Sequence, residues 1–549
     1  MPNRLRLFWM MLTAMTIVGL TIVIASTLAP APESATASAP PVKVNTNRDY
    51  IVLSWNDLGM HCYNRDFNDL AVLPPANTLW AQVIKVGNPP QVITTGVTVE
   101  YSFPSNTYSI GKSSFWSPNP RPGPNNGVQN ARAIFGLSSN LPDNIGLAGN
   151  GLAGQMTRLG DHFMAEWIPI TEYNDSDWNT RDPYQLAQVV VRDANTQVEL
   201  ARSTVVAPVS TEMRCDRCHS DNGEGNEDIA TGVVEQNILT KHDDENSDDY
   251  PNGHALLMDS RPVLCAECHS SNAIGAVGKP GIPSLSKAMH SKHKEEVANT
   301  TAGCYNCHPG PDTKCLRDVM SAQGMDCVDC HGTMTQVSQN ANPWLNEPRC
   351  DTCHNSGQFN HDKPLYRMSK DHGGIYCEGC HDSTHAIAPS TQPRDAIKFI
   401  DLQGHTGTLD MCTVCHSVMP AGAGPHGVVP PEIRDFVFEP DHDSAPEPGA
   451  TVIYTHTLKN TGSISDTYSI AWSSSKGWAT VTAPSPVTLD SGQSRVMTVT
   501  VNVPGVNSRG FTDTTILTAT SAFSATHTLN VKDVTLIPVA RVYLPVVLK

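Results

Sequence analysis

At 549 residues the chain has room for three or four domains of roughly 100 to 200 residues each, and 39% hydrophobic with 17% charged residues is a soluble balance that supports a sizeable core. Lys and Arg total 37 against 54 Asp and Glu, a formal charge of -17. A nucleic-acid backbone needs clustered cations, so DNA and RNA are excluded as partners. The 16 Cys and 21 His are many for a cytosolic enzyme, and all but one Cys fall between Cys215 and Cys415.

In chain order, Arg4 and Arg6 precede an apolar run from Leu7 to Ala29, followed by the small residues Ala35-Thr36-Ala37. This reads as an export signal over 1–29, long enough to remain as a membrane anchor through residues 7–29. Residues 30–48 are rich in Pro, Ala, Ser and Thr and read as a tether. The remainder is expected on the outer side of the membrane, periplasmic or at the cell surface. From 49 to 210, β-branched and aromatic runs at Tyr50 to Trp55, Leu79 to Val86, Thr95 to Phe103, Ala165 to Ile170 and Leu186 to Val191 alternate with Gly, Pro and Asn clusters, which predicts a β-rich domain with long loops.

Between 211 and 430 strand runs vanish and only seven aromatic residues occur up to Met419 (Tyr250, Tyr305, Trp344, Phe359, Tyr366, Tyr376 and Phe399). Something other than side chains must fill that core. The sequence Cys-x-x-Cys-His recurs seven times here: Cys215/Cys218/His219, Cys265/Cys268/His269, Cys304/Cys307/His308, Cys327/Cys330/His331, Cys350/Cys353/His354, Cys377/Cys380/His381 and Cys412/Cys415/His416. Chance predicts about 0.02 occurrences in a chain of this composition. On one helical turn, thiols at i and i+3 share a face and can add to the two vinyl groups of one porphyrin, while His at i+4 reaches the iron, so each motif reads as a c-type haem site. Zinc is the competing reading, but it does not require His after every second Cys; a thioredoxin-like motif has no use for seven copies.

On these motifs the segment resembles multihaem c-type cytochromes, as a heptahaem member. The resemblance implies a haem-packed, mostly α or irregular domain, seven covalent haems attached by the cytochrome c maturation machinery, and haem-to-haem passage of single electrons. Motif starts lie 50, 39, 23, 23, 27 and 35 residues apart, too little chain to keep the haems from near contact. Family members that act as enzymes keep one iron open, often with a changed motif such as Lys for His; none of the seven departs that way. Nine further His (His242, His254, His290, His293, His361, His372, His385, His405 and His426) are candidates for seven sixth-ligand positions, enough for bis-His ligation throughout, with roughly two left over. Met289, Met320, Met325 and Met411 are weaker axial candidates, and His162, His442, His456 and His527 read as surface residues, with His61 the exception among the histidines outside the segment. Trp55 to Cys62 and Leu73-Pro74-Pro75 are similar to a segment of exported multihaem cytochromes of metal-respiring bacteria.

Cys62 and Cys315 remain after fourteen haem cysteines, and in an oxidising compartment a Cys62–Cys315 disulfide is expected. The acidic run Asp243, Asp244, Glu245, Asp248 and Asp249 is a weak Ca²⁺ candidate, without EF-hand spacing. From 435 to 540 the chain alternates again, at Thr451 to Leu458, Thr467 to Trp472, Val496 to Val503 and Thr514 to Thr520, with turns at Asn460 to Gly462 and Asp490 to Gly492. This predicts an antiparallel sandwich resembling immunoglobulin-like accessory domains, for docking or spacing, and the tail Val542 to Leu548 reads as its last strand. The fold expected is therefore multidomain. The function expected is relay of electrons from a membrane-side donor to redox partner proteins or an external acceptor. A multihaem reductase with one open iron, acting on a small N, S or O substrate, is the rival reading, and a structural assembly subunit is a third.

Overall fold

The structure is a computed structural model describing residues 49–539, apart from 227, 252, 341–346, 355–358, 360–362, 364, 418–419, 421–422, 428–433 and 463. The export segment, the tether, His361 and the tail 542–548 lie outside the described residues. No helix among the described residues is long and apolar enough to cross a membrane.

Eleven strands build the first domain: β1 (Tyr50–Asn56), β2 (His61–Cys62), β3 (Leu70–Ala71), β4 (Leu79–Lys85), β5 (Gln91–Ile93), β6 (Val97–Ser102), β7 (Ala153–Gln155), β8 (Thr157–Leu159), β9 (His162–Ala165), β10 (Tyr184–Asp193) and β11 (Glu199–Ser210). One sheet runs β1-β4-β9-β8 with β5 on β4; the other runs β2-β11-β10-β6-β7. Their facing sides hold Val52, Val83, Val99, Phe163, Val189 and Val205, all buried. Each such side chain contributes about 1.5–3 kcal/mol. The anticipated strand over Ala165 to Ile170 is displaced: the strand ends at Ala165, because Trp167 takes a positive φ of 55° that no strand accommodates. The longest strand, β11, had no clear alternation to announce it.

Strand β1 is buried almost throughout, which one covered face cannot explain, since successive side chains point opposite ways. Val52 faces the inter-sheet core, while Ile51, Leu53 and Trp55 join Trp80, Ile84, Tyr376 and Leu402 in a second cluster that reaches the motif-bearing segment. The first domain is thus the wall on which part of that segment is built. Gly59 shows how close the approach is: at φ +68°, a Cβ there would collide with the Thr384 carbonyl oxygen.

Among the described residues from 211 to 430 the chain forms short helices and 3₁₀ turns, the longest being Val234–Asn246, and a single two-residue strand, β12 (Val263–Leu264), paired with β3. Little regular structure is available to define a core.

The C-terminal domain is a two-sheet sandwich of β13 (Phe436–Glu439), β14 (His442–Ser444), β15 (Thr451–Asn460), β16 (Asp466–Ser474), β17 (Ala479–Thr482), β18 (Val487–Leu489), β19 (Ser494–Asn502), β20 (Thr512–Ser521) and β21 (Thr528–Leu536). The sheets are β13-β15-β19-β17 and β14-β21-β20-β16-β18. Alternate residues of β15, β19 and β20 point inward, with Leu458, Val499 and Leu517 in the core. Only β14 on β21 is parallel.

Candidate functional site

Each Cys-x-x-Cys-His motif closes a single helical turn. His N–H donates to the first Cys carbonyl at 2.9 Å for His219, His308, His354 and His416 and at 3.1 Å for His269. The remaining two turns are the helices Cys327–His331 and Cys377–His381. The i, i+3, i+4 geometry that the spacing requires is therefore present at all seven.

Six of the seven motif histidines face a second histidine ring. Ring centres are 6.2 Å apart for His219 and His293, 6.3 Å for His269 and His242, and 6.1 Å for His308 and His290. They are 6.0 Å apart for His331 and His385, 6.0 Å for His381 and His426, and 5.9 Å for His416 and His372. Two imidazoles bound through nitrogen at about 2 Å on opposite sides of one metal have ring centres about 6 Å apart. The pairs have the spacing of axial ligands to a common iron.

The hydrogen bonds point the same way. Nδ1 donates to Asn226 Oδ1 from His219 (2.8 Å), to Tyr250 Oη from His242 (2.9 Å), to Pro283 O from His269 (2.9 Å), to Ser286 O from His290 (2.7 Å) and to Met289 O from His293 (2.7 Å). Such a bond fixes the tautomer that leaves the Nε2 lone pair free for a metal. Tyr250 passes its own proton to Asp243 Oδ1 at 2.6 Å, so its oxygen is an acceptor toward His242. Burial, reinforced by the opposing ring, depresses His308 and His381 to about 4, and burial with His331, Arg317 and His308 depresses His385 to about 3. Neutral imidazole is the ligating form.

The other candidates fall elsewhere. His254 lies against the Tyr250 ring with Nε2 4.0 Å from Glu267, and His405 is exposed beside Asp410 at 3.3 Å; neither faces a motif histidine. His361 lies outside the described residues. Across from His354 stands Phe359, with ring centres 5.6 Å apart. The surface reading fails for His162, which stacks on Trp80 at 4.2 Å, and for His456, which is fully buried. His61 is held by Asp57 at 2.9 Å.

Cys268 of the second motif is contacted by the Lys279 ammonium, which also reaches Glu267 at 3.4 Å. It stands just past the 3₁₀ turn Cys265–Glu267, where Lys279 N donates to Cys268 O at 2.7 Å and so holds the lysine's own backbone against the motif. The lysine side chain is long and partly exposed, so it must swing aside, at little cost, for Cys268 to take a vinyl carbon. Spacing gave no sign of this contact, because Lys279 lies outside the motif and is folded back onto it by the loop between them. Further corrections concern the two cysteines outside the motifs and the acidic run. No disulfide joins Cys62 and Cys315. Both thiols pack on the cluster of Met60, Tyr184 and Val206, and Cys315 Sγ lies 3.5 Å from His385 Nδ1. The acidic carboxylates do not converge on a cation position: Asp243 accepts from Tyr250, Leu257 N and Met258 N, while Glu245 binds Lys241 at 2.9 Å and Lys292 at 2.5 Å. Zinc finds no support at the motifs. Among the described residues, the trio of His, Cys, Asp or Glu ligand atoms gathered within 4.8 Å lies in the C-terminal sandwich. Burial also pushes the Cys215 and Cys415 thiols up to about 12 and Cys265 and Cys380 to about 11.

The motifs adjoin one another in an order that differs from the chain's. The Val234–Asn246 helix carries His242, opposite the second motif, and its Asn237 donates to His219 O of the first at 3.1 Å. The Leu285–His293 helix presents His293 to the first motif and His290 to the third. Cys304 of the third hydrogen-bonds Cys327 of the fourth. Beyond the dominant effect of burial, Cys353 of the fifth acts on Cys330 of the fourth, and Cys380 of the sixth on Cys415 of the seventh. Phe359 touches both His354 and, at 5.4 Å, His426, which faces the sixth. The succession is second, first, third, fourth, fifth, sixth, seventh.

The clamp between the two helices at the start of this succession sets a pH dependence. Lys292 foremost, then Lys241, hold Glu245 down to about 2, against about 4.3 in an unfolded chain. A depressed folded value means that the stabilisation is complete above the unfolded value and disappears as pH falls toward about 2. The carboxylate is partly exposed, so the contribution is below about 1 kcal/mol. Glu245→Gln is expected to lower the unfolding midpoint at neutral pH and to match the parent near pH 2, as a denaturant titration at several pH values will read.

Two residues past β11, Glu212 accepts from Gly310 N, Asp312 N and Thr313 N, which follow the third motif. Gly87 N donates to Cys415 O at 3.2 Å. Arg317, 2% exposed, binds Asp395 at 2.7 Å and Gly59 O at 2.8 Å. None of these anchors carries a signal in the sequence.

No family model and no curated protein matches the chain. Among solved structures, the ASH or PapD-like domain 7 of human CEP192 matches at 14% identity and TM-score 0.17, over 22% of this chain and 99% of that one. The C. elegans MSP family member WR4 matches at 12% identity and TM-score 0.15, over 19% and 96%. The E. coli chaperone DraB matches at 14% identity and TM-score 0.16, over 19% and 56%. Scores this low bear on no functional question.

Proposed function

We propose that the protein is an exported electron carrier with seven c-type haems, each attached through the two Cys of a motif and ligated by its His. The observation that carries this reading is the set of six facing histidine pairs at 5.9 to 6.3 Å, five of whose rings spend Nδ1 on a protein acceptor and keep Nε2 free. The haem, when bound, supplies reversible one-electron exchange. The chain's residues would do the rest: motif cysteines would hold the group in place, motif histidines and the histidines facing them would ligate its iron, and burial favours the neutral form of His308, His381 and His385. Electrons would enter and leave at the ends of the succession, at the second and seventh motifs, between a membrane-side donor and an external or periplasmic acceptor.

The reductase alternative rests on one position. His354 faces Phe359, and His361, seven positions further along the sequence, remains its sixth-ligand candidate. Low-temperature EPR of the oxidised protein with a carbon monoxide difference spectrum of the reduced protein separates the two. Seven low-spin irons and no carbon monoxide binding are expected for the carrier. One high-spin ferric signal with about one carbon monoxide per chain would place an open iron at the fifth motif and favour a reductase.

A further inference from the structure

We propose that His442, His456 and Asp533 form a site for a divalent transition-metal ion of the zinc class, clipping the two sheets of the C-terminal sandwich together. His442 and Asp533 lie side by side in register on the parallel pair β14 and β21, while His456 projects from β15 in the opposite sheet. One ligand atom from each lies within 4.8 Å of the other two, and the two histidine ring centres are 5.2 Å apart.

With His456 neutral, the polar groups inside this site do not balance without a metal ion. The side chains of His456 and Asp533 have no solvent exposure. His456 Nδ1 lies 2.8 Å from Pro440 O and its Nε2 3.0 Å from Asp533 Oδ2, both acceptors, whereas a neutral imidazole has one proton to offer. Asp533 Oδ1 is buried with no hydrogen-bond partner. An unmet buried carboxylate oxygen is costly. A metal ion in place of the second imidazole proton satisfies His456 Nε2 and the Asp533 carboxylate together, and His442, at the half-exposed rim, completes a set of two nitrogens and one oxygen. That donor set suits zinc, with a fourth position left to water on the rim side. Pro440 O and Thr455 O, the latter 2.9 Å from His442 Nε2, are the backbone acceptors that orient metal-bound imidazoles. The site is remote in sequence from the seven motifs and independent of their occupancy.

The test uses the full-length protein with its haems in place, equilibrated with zinc sulfate, then desalted and assayed for zinc by mass spectrometry. About one zinc per chain is expected to remain, with a higher unfolding temperature for the β-rich transition than after EDTA treatment. His442→Ala, a rim substitution that leaves both buried partners in place, is expected to weaken zinc binding at least about tenfold and to abolish the EDTA-sensitive shift. Asp533→Asn is expected to do the same, with far-UV circular dichroism reporting whether the sandwich persists. Retention of no zinc by the parent would leave a buried imidazolium–carboxylate pair and overturn the proposal; so would equal zinc retention in the parent and His442→Ala.

Discussion

Replacing His385 with alanine is expected to turn one iron in seven from low-spin to high-spin and to give the reduced protein about one equivalent of carbon monoxide binding. His385 faces His331 with ring centres 6.0 Å apart, and no other described histidine faces that motif residue so closely. An alanine leaves no nitrogen to fill the sixth position. His290→Ala is expected to act in the same way on the third motif, where the rings of His290 and His308 are nearly parallel at 23°. His254→Ala and His405→Ala are the contrast: both were equal candidates by sequence, both lie beside a carboxylate without facing a motif histidine, and neither is expected to change the spin state. EPR of the four purified variants reads the outcome directly. A low-spin spectrum retained by His385→Ala would sink the assigned pairing.

Arg317→Ala is expected to destabilise the junction between the first domain and the motif segment by about 3–5 kcal/mol, the cost of leaving one partner of a buried ion pair without the other. Its guanidinium is almost fully enclosed and holds Asp395, Gly59 O and Cys315 O at once, while its backbone N–H donates to His385 O at 2.9 Å. The loss leaves the Asp395 carboxylate buried with Ser390 Oγ, at 2.6 Å, as its hydroxyl donor. Guanidinium unfolding followed by tryptophan fluorescence, together with Soret absorbance, measures the effect. Arg317→Met combined with Asp395→Leu removes both charges and should recover much of the stability. If Arg317→Ala unfolds at the parent midpoint, the arginine does not anchor the junction.

The proximal half of each candidate site was legible because it is local. Three residues within one helical turn meet whatever the rest of the chain does, so Cys215, Cys218 and His219 and their six counterparts are placed by spacing alone. What else touches them is not local, as Lys279 on Cys268 shows. The distal half was legible only as a pool of nine. His426 lies 45 residues beyond the His381 it faces, and His242 lies before the His269 it faces, so neither distance nor direction along the chain predicts a partner. The expected disulfide failed for a related reason: a cysteine count says that two thiols are left over, but not that Cys315 is turned toward His385.

Strand positions were read well where one face is wet, as in β15 and β20, since alternation reports a single covered face. The reading slipped at Ala165 to Ile170, where Trp167 takes a positive φ that composition does not reveal. His162 and His456 were misjudged because burial of a polar ring depends on partners distant in sequence, Trp80 and Tyr376 for one and Asp533 for the other.

By itself, then, the sequence determined the repeated Cys-x-x-Cys-His turns and the alternation of the sandwich strands, because both are set by residues a few positions apart. Tertiary structure alone decided which histidine faces which, the succession in which the seven motifs adjoin, and the gathering of His442, His456 and Asp533. Each of those depends on segments tens of residues apart being brought together by burial and hydrogen bonding, and chain spacing carries no record of that.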